Sequence, residues 1–135
     1  MLIGVPKETW PGELRTALVP QNAKKLIELG FSIVVEASSG LASGFTDEMY
    51  QEVGVKISQD RAELLAADLV MRVRKPSIGD LQLVKKEAVN VSFLDPFNEK
   101  ELVEDMATRG IQGISMEMIP RSTRAQKMDA LSSQA

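Results

Sequence analysis

The run Pro120 to Ser133 (PRSTRAQKMDALSS) carries a set of groups suited to holding an anion. A strand candidate ends near Met116, and the loop after it leads into a helix that begins near Thr123. The first turn of a helix leaves backbone N–H groups without partners and carries the positive end of the helix dipole, so it attracts negative charge. Arg121 and Arg124 flank that entry. Gln126, Asp129 and Ser132 then recur at three-residue spacing and share one polar face of the helix. A plainer reading has the same spacing. Thr123 and Gln126 form an N-terminal capping box, and Asp129 and Ser132 face water. The residues alone leave both readings open.

Two further cations lie where strands end. Gly4-Val5-Pro6-Lys7-Glu8 ends the first strand candidate, and Pro11-Gly12-Glu13-Leu14-Arg15 follows it. Ligands of open α/β sheets bind at the C-terminal edge of the strands. Arg15 can present a guanidinium fork to a carboxylate or phosphate there, or it is simply a solvated loop arginine. Arg72-Val73-Arg74-Lys75-Pro76 ends the third strand candidate. Strand alternation puts Arg72 and Arg74 on one face and Val73 and Lys75 on the other, with Lys75 at the strand's exit. The alternative is a basic strand end paired with neighbouring carboxylates.

The missing residue types narrow the chemistry. The chain has no cysteine, so it has no disulfide, thiol nucleophile or thiolate metal site. It has no histidine, which removes the commonest general acid/base and the commonest transition-metal ligand. No metal site is expected. No G-x-G-x-x-G turn is present, and the pairs Gly40/Gly44 and Gly110/Gly113 have the wrong spacing and context. A dinucleotide pyrophosphate normally needs that turn. This unit alone is therefore not expected to bind a dinucleotide in the Rossmann manner.

The elements that position these groups alternate between strand and helix. Strand candidates are Met1 to Val5, Phe31 to Glu36, Leu69 to Val73, Asn90 to Leu94 and Ile111 to Met116. Gln21 to Leu29 reads as a helix with Ala23, Leu26 and Ile27 inward, closed by Gly30. Thr46 caps a short helix with Met49, Tyr50 and Val53 inward, ended by Gly54. Asp60 with Glu63, and Asn98 with Glu101, look like capping boxes for helices reaching Ala67 and Thr108. Strand and helix in alternation predict an α/β, three-layer fold: a parallel sheet with helices on both faces. The expected order is flavodoxin-like or Rossmann-like, without the glycine-rich fingerprint. Ala37 to Gly44 and Lys75 to Asp80 read as the main loops.

The 135 residues suit one domain, and 44% hydrophobic with 26% charged residues suits a packed globular core. A net charge of −3 with signs interspersed argues against nucleic acid as a partner. No apolar run approaches the roughly 20 residues that cross a bilayer, and the start reads as a strand rather than a leader. An internal compartment is expected. The last helix shows no stop signal before Ala135, so the natural chain is expected to continue.

These motifs together resemble the alanine dehydrogenase and transhydrogenase family. GVPKE, GELR and ALVP look like its N-terminal signature, and Arg74-Lys75-Pro76 sits where both branches carry a lysine. The resemblance covers residues 1–135 as the family's N-terminal domain, with a glycine-rich NAD-binding subdomain expected after Ala135. The alanine dehydrogenase branch holds its substrate with an arginine and a lysine, matched by Arg15 and Lys75. It also uses a histidine after the fourth strand, where this chain reads Ser92-Phe93-Leu94-Asp95-Pro96. Transhydrogenases pass hydride directly between two nicotinamide rings and need no general acid. PRSTRAQKMDALSSQ resembles that branch specifically. The resemblance implies that Arg121, Ser122, Thr123, Arg124 and Ala125 line the NAD(H) site. It also implies that Arg121, Asp129 and Ser132 contact the nucleotide, and that Gln126 aligns its ring with an NADP(H) ring held by a partner domain. It implies a proton-translocating enzyme with an NADP(H)-binding domain and a membrane domain as partners. The NAD(H) component would be a dimer on the cytoplasmic face of the inner membrane. The competing expectations are an alanine-type amino-acid dehydrogenase and a non-catalytic module that holds a small carboxylate through Arg15 and Lys75. This fragment alone is expected to be catalytically silent.

Overall fold

A computed structural model describes residues 1–94 and 98–116. Its sheet has six parallel strands: β1 (Leu2–Val5), β2 (Ser32–Glu36), β3 (Lys56–Ser58), β4 (Leu69–Arg74), β5 (Val89–Phe93) and β6 (Gln112–Ser115). Helices α1 (Pro20–Glu28), α2 (Asp47–Glu52), α3 (Arg61–Leu65), α4 (Ile78–Leu81) and α5 (Lys100–Thr108) connect them. The five strands read from the sequence are all present. The sixth, β3, was not expected, because its three residues are too few to show a period of two.

That short strand changes the topology. Without it the sheet has the flavodoxin-like order expected from five strands. With β3 outside β2 the order becomes β3-β2-β1-β4-β5-β6, the Rossmann-like form of the expected doubly wound sheet, with two halves diverging from β1 and β4. The winding direction reverses between those two strands.

Alternation along the strands feeds two cores. Ile3, Val5, Ile33, Val35, Met71 and Val73 pack with Ala23, Leu26 and Tyr50 of α1 and α2. Val34 and Val70 pack with Leu64, Leu65, Leu81, Leu102 and Met106 of α3, α4 and α5. Gly4, beside Val34 and Val70 in register, carries no side chain because α3 lies directly on it. A Cβ at Gly4 would stand 1.9 Å from the Leu64 carbonyl oxygen.

The helix signals hold at most ends. Gly30 and Gly54 follow α1 and α2 with φ of 102° and 100°, a conformation that glycine adopts without strain. The Thr46 hydroxyl accepts from Met49 N, and the Asp60 carboxylate from Ala62 N at 3.0 Å. Four expectations are corrected. Glu63 does not close a box at α3, since its carboxylate turns to Lys56 and Ser58 on β3. Helix α5 starts at Lys100 with Glu99 rather than Asn98 at its N-cap, and the Glu99 side chain is engaged elsewhere. Met49 faces outward beside buried Tyr50. The stretch Lys75 to Asp80 is not all loop: Ser77 caps α4 by accepting from Asp80 N at 3.1 Å.

Candidate functional site

The C-terminal edge of β1 is the topological switch point, where ligands of this sheet type usually sit. The chain leaves β1 through Pro6-Lys7-Glu8 and is tied down on both sides. On the β2 side, Lys7 N donates to the Glu36 carboxylate at 2.8 Å, and Arg61 donates to the Lys7 carbonyl at 3.1 Å. On the β4 side, the Glu8 carboxylate accepts from Val73 N at 2.9 Å and Arg74 N at 3.0 Å. The register of β4 against β5 shifts between Met71 and Arg74, within which both amides lie. Burial pushes the Glu8 carboxyl above its ordinary value, opposed by those two amides and by Arg72. A carboxylate of the chain itself therefore occupies the switch point, and a pyrophosphate placed there would meet like charge.

Arg15 and Lys75 both lie on this edge, and both already hold carboxylates. Arg15 donates to Glu13 through Nε and Nη2, each at 2.9 Å, in the bidentate geometry its guanidinium favours. Glu13 also accepts from Arg74 Nε at 2.8 Å and from Arg15 N at 2.9 Å. Its side chain is 3% exposed, while Arg15 and Arg74 are 44% and 47% exposed. The Arg15 hydrogen bonds, with those of Arg74, outweigh desolvation and hold the Glu13 carboxyl down at about 2. Lys75 pairs with Glu99, at the start of α5. Trp10 lies against both cations of the β4 exit, with Lys75 Nζ 5.1 Å and the Arg74 guanidinium 5.9 Å from its ring centroid.

Arg72 and Arg74 both pair with carboxylates, as the alternative reading of this basic strand end expected, but in different clusters. Arg72 is 4% exposed and donates to Asp80 at 2.8 Å, with a second bond to the Arg74 carbonyl. Arg61 also grips Asp80, through Nη2 at 2.9 Å, and donates to Glu36 at 2.6 Å. This network joins the ends of β2 and β4 to α3 and α4. Burial raises the Asp80 carboxyl, but the two arginines outweigh it and hold it below the ordinary range.

Sequence reasoning named Arg15 and Lys75 but gave no role to Glu8, Trp10, Glu13, Asp80 or Glu99. Glu13 was legible, standing two residues before Arg15. Glu8 had no local signal, since its partners lie 65 and 66 residues away. The anion-binding expectation on Pro120 to Ser133, with Arg121, Ser122, Thr123, Arg124, Ala125, Gln126, Asp129 and Ser132, lies outside the described residues. So do Asp95 and Pro96.

Comparison with known proteins places this edge in context. The family model described as alanine dehydrogenase/PNT, N-terminal domain, matches residues 4–135. The NAD(P) transhydrogenase subunit alpha of Cereibacter sphaeroides is 40% identical over all of this chain and 26% of its own length. Alanine dehydrogenase 1 of Staphylococcus aureus is 36% identical over 98% of this chain and 35% of its own. The crystal structure of transhydrogenase from Sinorhizobium meliloti superposes with a TM-score of 0.88 at 36% identity, covering 96% of this chain and 39% of that one. The chain thus spans about a quarter to two fifths of the relatives it matches.

Proposed function

We propose a function from one established premise: the chain belongs to the alanine dehydrogenase/PNT N-terminal domain family. In our reading it is the opening part of the NAD(H)-binding component of a proton-translocating NAD(P) transhydrogenase. Identity alone separates the two branches weakly, at 40% and 36% for the relatives compared. The observation that carries the choice is the absence of histidine from the chain. Oxidative deamination moves a proton at the substrate carbonyl and calls for a general acid/base. Hydride transfer between two nicotinamide rings moves none, so its rate rests on holding the rings in attack geometry.

The edge at β1 and β4 supports this reading. The Arg15 fork holds Glu13 and Lys75 holds Glu99, so both act as ion-pair formers that brace the edge. This weighs against a module that keeps the same two cations free for a small carboxylate. NAD(H) does not fit the switch point, where Glu8 already bonds the β4 amides. The family resemblance gives the nucleotide-holding role to the closing segment. Arg121, Ser122, Thr123, Arg124 and Ala125 would line the nucleotide, Asp129 and Ser132 would contact it, and Gln126 would align its ring with the NADP(H) ring of a partner domain. The NAD-binding subdomain that completes the site, the membrane domain and a homodimeric assembly belong to the same proposal. Among the described residues no helix is long and apolar enough to cross a membrane.

The test uses the full soluble component with its NADP(H)-binding partner. Gln126→Asn is expected to slow hydride transfer between nucleotides and to leave NADH binding nearly unchanged. An unchanged transfer rate refutes the alignment role. Oxidation of NADH by the intact protein that depends on pyruvate would instead establish the amino-acid dehydrogenase reading.

A further inference from the structure

The chain's single tryptophan, Trp10, lies beside Arg74 and Lys75 at the exit of β4, and the head groups of those cations pair with Glu13 and Glu99. The β4–β5 ladder slips between Met71 and Arg74 before resuming at the Arg74–Phe93 pair, so regular pairing does not by itself set the direction of the stretch between them. Glu8 anchors the backbone of that stretch. Its two carboxylate oxygens take one amide each, Val73 N at 2.9 Å and Arg74 N at 3.0 Å. Two parallel bonds from one rigid carboxylate fix the orientation of the peptide planes, as a single bond would not. Glu8 is itself fixed, because the preceding Lys7 is bonded through both its amide and its carbonyl to Glu36 and Arg61.

We propose that Glu8 is a positioning residue: by clamping the amides of Val73 and Arg74 it aims Arg74 and Lys75 at Trp10 and so places the cation pair at the exit of β4. This stands independently of the nucleotide reading above. The charged groups around the clamp are Arg72 beside Glu8, Glu13 with Arg15 and Arg74 in front, and Glu99 on Lys75. Glu8 acts on the cations through the backbone, and that separates its effect from simple charge. Removing an anion should by charge alone make the edge more positive. Removing the clamp should make the surroundings of Trp10 less positive.

Trp10 is the reporter. Its fluorescence in this chain is quenched at low salt by iodide, an anion, and separately by acrylamide, which is neutral. Cations held beside the ring concentrate iodide there, so Arg74→Gln with Lys75→Gln should lower the iodide-to-acrylamide quenching ratio about twofold. Glu8→Gln offers one acceptor oxygen and one N–H where two acceptors are needed, and it should lower the ratio nearly as far while both cations remain. Added to the double variant it should change nothing more, because it works through those two residues. A ratio that rises or stays at the parent value overturns the proposal, and so does an equal fall in the background lacking both cations. Should Glu8→Gln lose the native circular dichroism spectrum, Glu8→Asp replaces it, keeping the charge but reaching at most one amide, with an intermediate fall expected. Loss of the folded spectrum in both variants also overturns the proposal, since it makes Glu8 a requirement of the sheet rather than of its edge.

Discussion

Replacing Glu13 with glutamine should cost stability that depends on pH in a way its ion pairs dictate. The folded protein holds this carboxyl at about 2, down from an ordinary 4.5. At about 1.4 kcal/mol per pKa unit that depression corresponds to about 3 kcal/mol. Arg15 and Arg74 are 44% and 47% exposed, so water and salt screen the pairs, and about 1–2 kcal/mol is the reasonable expectation. The folded pKa lies below the unfolded one. The stabilisation is therefore fully present above about pH 4.5, and it fades as pH falls toward 2 and Glu13 protonates. The assay is urea denaturation of the parent and Glu13→Gln at pH 6, 4 and 3, compared as differences so that other carboxylates cancel. The parent should lead by about 1–2 kcal/mol at pH 6, and the lead should shrink at pH 4 and again at pH 3. A difference that does not vary with pH, or none at pH 6, refutes the reasoning.

Four other substitutions probe the frame of the site. Asp80→Asn leaves the 4% exposed Arg72 without its carboxylate and should cost about 3 kcal/mol or more in chemical denaturation, clearly above Glu13→Gln; Arg72→Met should be milder, since Asp80 keeps Arg61. Gly4→Ala drives a Cβ to 1.9 Å from the Leu64 carbonyl and should cost about 3 kcal/mol as α3 is forced off the sheet; a cost under about 1 kcal/mol would mean that α3 does not pack so closely. Tyr50→Phe removes the hydroxyl that donates to the Leu18 carbonyl at 2.7 Å in the core and should lower stability by about 1–2 kcal/mol, read by thermal denaturation.

Local chemistry in the sequence was enough for much of the frame. Val and Ile runs broken by amphipathic helices specify a parallel α/β sheet, because only burial on both faces suits such strands. Thr46, Asp60, Gly30 and Gly54 mark helix ends because capping and left-handed backbone depend on neighbouring residues alone. The lack of histidine is likewise a property of the sequence, and it bears directly on the choice between the two branches of the family. Tertiary structure decided what depends on contacts across the chain. Three residues, Lys56 to Ser58, become a strand only because β2 offers them an edge, and that pairing extends a five-strand flavodoxin-like order to the six-strand Rossmann-like one. Lys75 looks like a free ligand-holding cation in one dimension, and folding brings Glu99 onto it. Glu8 reads as an ordinary loop acid until β1 and β4 lie side by side. Its carboxylate then meets two amides 65 and 66 residues away, a distance in sequence across which no local pattern carries information.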